Sequence, residues 1–198
     1  GTSATISSNS VVLNGVLVAD AANAVLSTNG YTATLASAAV GTGKPVTVGG
    51  LSLTGSASGN YLLTQPAGLT ANITGKSVTP AVVANNKVYD GNTNATLSSL
   101  TLTGVVSPDV VTLTNSAAGF ASATVGTGKT VTAIGLGLSG AAAGNYTLSA
   151  VSATDLADIT AKTVTPAVVA NNKVYDGNTN ATLSSLTLTG VVSPDVVT

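Results

Sequence analysis

The chain has 198 residues, enough for one or two ordinary domains with a real core. Its charges are six Lys and seven Asp, a net of −1, with no Arg, Glu, His, Cys, Met or Trp, 3% aromatics and 22 Gly. That inventory excludes His- or Cys-built metal sites, removes the parts of any triad or dyad needing His, Cys or Glu, and leaves no basic patch for nucleic acid, so the expectation is a non-enzyme with no cofactor and no catalytic or metal-binding residue.

In chain order, the apolar runs Val11 to Leu13 and Val16 to Ala19 are cut by Asn14 and Asp20, far short of the roughly 18 to 20 residues of a membrane span. The absence of cysteine does not choose a compartment. Because the sequence opens at Gly1 without a Met or signal-like stretch, it is expected to be cut from something longer. Asn14-Gly15 and Asn29-Gly30 read as turns. GTGKPVTVGGLSLTGSASGNYLL follows from Gly41, and the Gln65-Pro66 and Gly68 region reads as a loop. The stretch NITGKSVTP, Asn72 to Pro80, reads as a joint between domains.

The central part holds turns at Asp90-Gly91, Ser107-Pro108-Asp109, Gly126-Thr127-Gly128 and Gly144-Asn145. Between them run period-2 alternations: Leu100 and Leu102 with Thr101 and Thr103, Leu136 and Leu138 with Gly137 and Ser139, and Tyr146 and Leu148 around Thr147. Such alternation turns one strand face to a core and the other to water. Val131, Leu136, Leu138, Tyr146, Leu148 and Ile159 are the expected core. A second joint, Asp158 to Pro166, precedes a final segment in which Pro166 is expected at an edge or first-strand position. No segment has helical length and period.

Self-similarity explains the whole chain. VTPAVVANNKVYDGNTNATLSSLTLTGVVSPDVVT, Val78 to Thr112, recurs unchanged from Val164 to Thr198, at an offset of 86. GTGK…GNYLL from Gly41 matches GTGK…GNYTL from Gly126 at 85, and Ile73 and Lys76 match Ile159 and Lys162 at 86, so one residue separates the copies between Tyr61 and Ile73. A period this long suits a small β-sandwich better than a solenoid coil. The expected architecture is all-β, a tandem array of small Ig-like β-sandwich domains: repeat 1 over 1–75, lacking its opening strands, repeat 2 over 76–161, complete, and repeat 3 over 162–198, its N-terminal part only. Joints this short and poor in Gly and Ser predict a semi-rigid rod.

KVYDGNTNATL (Lys87 to Leu97), then GVVSPDVVTL, VGTGKTVT, LSGAAAGNYTL and ADITAK, resembles the YDG-type repeat of filamentous-haemagglutinin-like bacterial adhesins and giant exoproteins. The match covers the central copy and its neighbours as far as they run. The resemblance implies an extracellular, tandemly repeated all-β module acting as stalk or spacer, and it supplies no ligand or catalytic residue. Repeat 1 departs from the pattern in having no KVYDG.

Four local patterns carry sharper readings. GTGKT at Gly126 to Thr130 is similar to the end of a phosphate loop, but the first Gly that loop requires falls at Ala123 and the matching hydroxyl position is Pro45, so a hairpin turn is expected. Asp90, Asn92 and Asn94 place oxygens at alternate positions as a calcium loop does, with no acidic residue to close it; a structural turn is expected, with weak cation binding there, and at Asp176, as the rival. The pairs Thr101/Thr103, Thr112/Thr114 and Thr187/Thr189 read as solvated strand faces rather than an ice-binding array. Asn-x-Thr at Asn72, Asn94, Asn145 and Asn180 carries no functional weight.

The functional expectation is a structural stalk or spacer of an extracellular bacterial adhesin or surface fibre, located at the cell surface and projecting a distal binding region for adhesion or aggregation. Its partners would be neighbouring identical repeats and other copies of the chain, with no nucleic acid and no membrane span. The alternatives are a self-assembling filament subunit that exchanges strands with its neighbours, and a glycan-binding repeat. The aromatics Tyr31, Tyr61, Tyr89, Tyr146, Tyr175 and Phe120 are expected mostly in core-facing positions, which disfavours glycan binding.

Overall fold

The computed structural model describes residues 13–197, and these divide into two compact units, 1–76 and 77–198. Every regular element in them is a strand or a single 3-10 turn, the latter at Val18–Asp20, Ser58–Asn60 and Ala143–Asn145.

Unit 1 holds β1 (Val25–Ser27), β2 (Thr32–Leu35), β3 (Gly41–Gly49), β4 (Ser52–Thr54) and β5 (Leu69–Ile73). β1 pairs with β4, and β3 is flanked by β2 and β5, all antiparallel. The core gathers Ala33, Val48 and Leu51, with Leu26, Tyr31, Val46 and Leu63 packed on it. Unit 2 holds β6 (Lys76–Ala84), β7 (Lys87–Val88), β8 (Leu97–Thr103), β9 (Thr112–Thr114), β10 (Ala117–Phe120), β11 (Gly126–Ile134), β12 (Gly137–Ser139), β13 (Tyr146–Leu148), β14 (Ser152–Thr160), β15 (Thr165–Ala170) and β16 (Leu183–Thr189). Its sheets run β10-β11-β14-β7, β13-β6-β8, β12-β9 and β15-β16.

The alternations act as expected. In β6, Val78, Pro80 and Val82 are buried and Ser77, Thr79, Ala81 and Val83 are exposed. One cluster joins Val82 of β6, Leu113 of β9, Ala133 of β11 and Leu136 across different sheets, and a second joins Phe120, Val131, Ala157 and Ile159. Val131 and Ile159 are fully enclosed, worth about 1.5–3 kcal/mol each in apolar burial. Leu136 and Tyr146 are also buried, whereas Leu138 and Leu148 are only half-buried. Leu138 lies on β12, a three-residue strand paired with β9.

One local expectation needs correction, and the expected edge position of Pro166 holds. GTGK is not a hairpin turn: Gly41 to Lys44 and Gly126 to Lys129 lie inside β3 and β11, where a register shift marks a bulge and Gly43 and Gly128 take φ of +59°. Pro166 lies in a two-stranded sheet and so at an edge, but its counterpart Pro80 is buried in the middle strand of β13-β6-β8. Proline is tolerated there because β13 spans only three residues beside the nine of β6, leaving much of one side of β6 unpaired.

The strands that both copies hold match in register. β2, β3 and β4 correspond to β10, β11 and β12 with the same registers, as Thr32↔Gly49 and Ala117↔Ile134 show, and Leu26↔Leu53 on β1 and β4 matches Leu113↔Leu138 on β9 and β12. In the third copy, β15 and β16 repeat the register of β6 and β8, including the shift one residue before the end of the strand.

Candidate functional site

The polar side chains of the repeat turn inward on their own loops. Asp90-Gly91 starts a turn whose carboxylate accepts the Asn92 amide at 3.1 Å, and Asn92 Oδ1 in turn accepts the Asn94 amide at 2.9 Å. The alternate oxygens converge on a cation, and that cation is the chain's own Lys87. Its ammonium donates to Asp90 Oδ1 at 2.7 Å, to the Asn92 carbonyl at 2.7 Å, to Asn92 Oδ1 at 3.1 Å and to the Asn94 carbonyl at 3.1 Å. The Phe120 ring lies 5.5 Å away on the same nitrogen, in cation–π range. The ammonium therefore sits amid the oxygens that the calcium reading would have given to a metal. Lys173 repeats the arrangement with Asp176 and Asn178 at 2.7–2.9 Å. The Lys87 and Lys173 ammonium groups, followed by the Asn92 and Asn178 amides, hold Asp90 and Asp176 below the usual carboxylate range. Among the described residues, no three acidic side chains gather to hold a metal.

A second device recurs at the GNY segments. The Tyr146 hydroxyl donates to Asp109 Oδ2 at 2.6 Å and accepts the Val106 amide at 3.0 Å, closing the GVVSPD turn onto the start of β13. Tyr61 does the same with Asp20 at 2.7 Å and Leu17 at 3.1 Å. The carboxylate of Asp109 raises the Tyr146 phenol above its ordinary value; at Tyr61 the Leu17 amide pulls downward, but Asp20 and burial together leave the phenol raised. Sequence reading missed this pair. Gly15-Val16 with Asp20 matches Gly104-Val105 with Asp109 at an offset of 89, hidden because repeat 1 carries extra residues before β1. A third clasp joins different copies: the Tyr89 hydroxyl donates to Asp195 Oδ2 at 2.7 Å, and Asp195 is the third-copy counterpart of Asp109. Its carboxylate raises the Tyr89 phenol.

The GTGK bulge binds its own chain as well. Gly128 donates its amide to Asp158 Oδ1 at 2.8 Å, as Gly43 does to Asn72, and the Lys129 ammonium donates to Ser122 and Thr124, as Lys44 does to Ser37. The groups that a phosphate loop would offer to its ligand are thus spent internally. Asp155 accepts the Ala84 amide at 2.8 Å where β6 shifts register, and that bond leads in lowering its pKa.

The threonines reach sideways: Thr112 and Thr114 donate to carbonyls of β12, and Thr101 and Thr187 to those of β6 and β15, on separate strands rather than one array. Of the tyrosines, Tyr146 is buried, Tyr31, Tyr61 and Tyr89 are half-buried, and Tyr175 stands alone in the open. No helix of the described residues is long and apolar enough to cross a membrane.

The family model described as YDG domain matches the chain over residues 1–68, 74–154 and 160–198. No curated protein and no solved structure matches it.

Proposed function

We propose, from the premise that this chain belongs to the YDG domain family, that it is a stalk or spacer segment of an extracellular bacterial adhesin or surface fibre. In this reading each repeat is an Ig-like β-sandwich, and the tandem copies project a distal binding region from the cell. The observation that carries it is the inward spending of polar groups. Lys87, Asp90, Asn92, Tyr146, Asp109 and Lys129 each bond to their own repeat, at positions that recur in another copy. Such a module invests its chemistry in holding turns rather than in meeting a ligand. A strand of some ten residues at about 3.3 Å each, with its turns, gives each repeat roughly 35 to 45 Å of reach.

In-frame removal of residues 76–161 tests the reading. The expected result is a surface fibre shortened by one such increment in electron micrographs of immunolabelled cells, with ligand binding by the purified parent protein unchanged. Loss of that binding on removing the repeat would overturn the spacer reading in favour of a binding module.

A further inference from the structure

Asn-Gly and Asp-Gly steps place a side-chain carbonyl carbon within five-membered-ring reach of a backbone nitrogen that no neighbouring Cβ shields. Two such steps in the chain compare closely, Asn29-Gly30 in the turn between β1 and β2, and Asp176-Gly177 in the second lysine cradle. Gly30 and Gly177 take φ of +79° and +77°, and nothing lies within 4 Å of where a Cβ would stand at either. The nitrogen is equally open in both. What differs is the group it would attack.

Asn29 is exposed, and its carboxamide makes no hydrogen bond among the described residues; only its main-chain amide is engaged, donating to Ser27 Oγ at 3.2 Å. Asp176 is held on Oδ1 by the Lys173 ammonium at 2.7 Å and by the Asn178 amide at 3.2 Å. Both bonds favour the ionised carboxyl, which has no neutral leaving group to expel. The Asp90-Gly91 loop is held in the same way by Lys87 and the Asn92 amide.

We propose that Asn29-Gly30 is a site of spontaneous modification, at which Asn29 is converted to isoaspartate and aspartate, and that the lysine cradles shield the Asp-Gly loops from the same chemistry. The Gly30 nitrogen bonds to Asn29 Cγ, the carbon–nitrogen bond of the carboxamide breaks, and the Gly30 amide proton leaves with the departing nitrogen as ammonia. Water then opens the cyclic imide at one of its two carbonyls: opening at the main-chain carbonyl leaves isoaspartate, and opening at Cγ leaves aspartate. No electrons change hands. Either product adds a negative charge to a chain whose net charge is −1. Isoaspartate also lengthens the main chain by one atom, in a turn that rests against Gly50, where a Cβ would stand 2.9 Å from the Gly30 carbonyl oxygen. β1 and β2, of three and four residues, have few pairing bonds with which to resist that push. Unit 1 therefore ages at this turn while the Asp-Gly loops of unit 2 keep their chemistry. The inference goes beyond the spacer reading, which stands or falls by the fibre-length experiment.

The test incubates the full 198-residue chain in mildly alkaline buffer and follows it by peptide mapping, with electron-transfer fragmentation to tell isoaspartate from aspartate. Expected is a gain of a single mass unit at Asn29 with isoaspartate as the main product, while Asp90 and Asp176 stay unchanged over the same period. Lys173→Gln, on an exposed loop, should raise isoaspartate at Asp176 several-fold, because more of that carboxyl is then neutral, and leave Asp90 in the same molecule as it was. The aged chain should show a lower melting temperature for unit 1 and an unchanged one for unit 2. An Asn29 that stays intact in the folded chain while it deamidates in denaturant overturns the proposed site. Isoaspartate at Asp176 forming as fast in the original chain as in Lys173→Gln overturns the shielding, and an aged unit 1 that melts like the fresh one overturns the loosening of the turn.

Discussion

Repeat 1 and repeat 2 share the strand pairs β1–β4 and β2–β3–β5 with their counterparts and the same clasp, and they differ between Tyr61 and Ile73, where repeat 1 is one residue shorter. In repeat 2 the chain leaves β13 and turns directly into the nine residues of β14, and the Leu136 amide donates to the Val151 carbonyl at 3.1 Å. In repeat 1 the same stretch, Tyr61 to Ile73, is one residue shorter than Tyr146 to Ile159, and β5 is only five residues long. The Leu51 backbone would lose its partner, but the Gln65 side chain takes that role: Oε1 accepts the Leu51 amide at 3.2 Å and Nε2 donates to the Leu51 carbonyl at 2.8 Å. A primary amide has the donor and acceptor of a peptide group, so it can stand in for a missing stretch of strand. The lesson is that drift between copies is absorbed by side chains that imitate backbone, while core positions keep their apolar character.

The comparison is broken most forcefully at the shared core leucine. Leu136→Ala should cost unit 2 about 2–5 kcal/mol, and Leu51→Ala should cost unit 1 less, because the buried cluster around Leu136 holds Val82, Leu113 and Ala133 while that around Leu51 holds only Ala33 and Val48. Chemical denaturation of each variant, with the two units followed separately, checks the ordering; equal costs would show that the two cores are equally tight. Next in size, Gly140→Ala should destabilise by about 1–3 kcal/mol. Gly140 has φ of +109°, and an added Cβ would lie 2.6 Å from the Val110 carbonyl oxygen. Gly55, its counterpart at φ of +101°, faces Asn23 in the same way, so the two variants should lose stability alike in their own units by the same assay. Smaller still, Gln65→Ala should cost about 1 kcal/mol in unit 1 alone, and Gln65→Glu should recover part of it as pH falls far enough to protonate the carboxyl and restore a donor.

The smallest effects concern the lysine cradle. Chelators should leave both melting temperatures within a degree, because the oxygens of Asp90, Asn92 and Asn94 hold an ammonium group. Acid should act instead. Asp90 titrates lower when folded than unfolded, so its contribution is complete above its unfolded value near 4 and fades as pH falls through the lowered folded one. Lys87→Met should lessen that acid sensitivity without abolishing it, since the Asn92 amide still holds Asp90, and this is read as a flatter profile of melting temperature below about pH 4.

Much of this fold was legible in the sequence, for physical reasons that differ by residue. Val131, Leu136 and Ile159 announced themselves through alternation, because a sheet with one wet face admits no other pattern. The turns at Asp90-Gly91 and Gly144-Asn145 were legible through their residue types. GTGK was misread as a hairpin, because glycines that open a turn and glycines that admit a bulge look alike until the partner strand is placed. Lys87 could not be found as the occupant of the Asp90 loop, since the oxygens of Asp90, Asn92 and Asn94 fit a cation without saying which one. The Tyr–Asp clasps were missed because their partners lie 37 and 41 residues apart, a distance that no local pattern reports.

The clasp between Tyr89 and Asp195 reaches further than its single hydrogen bond. Its two ends fall in different copies, one in the KVYDG segment and one in the SPD turn, and both segments are present in the unit that is copied. Asp109 gives the same Oδ2 to Tyr146 of its own copy, so an SPD carboxylate closes a clasp either within its copy or onto the copy before it. Val78 to Thr112 and Val164 to Thr198 are identical, so the two outcomes are reached from one and the same turn sequence.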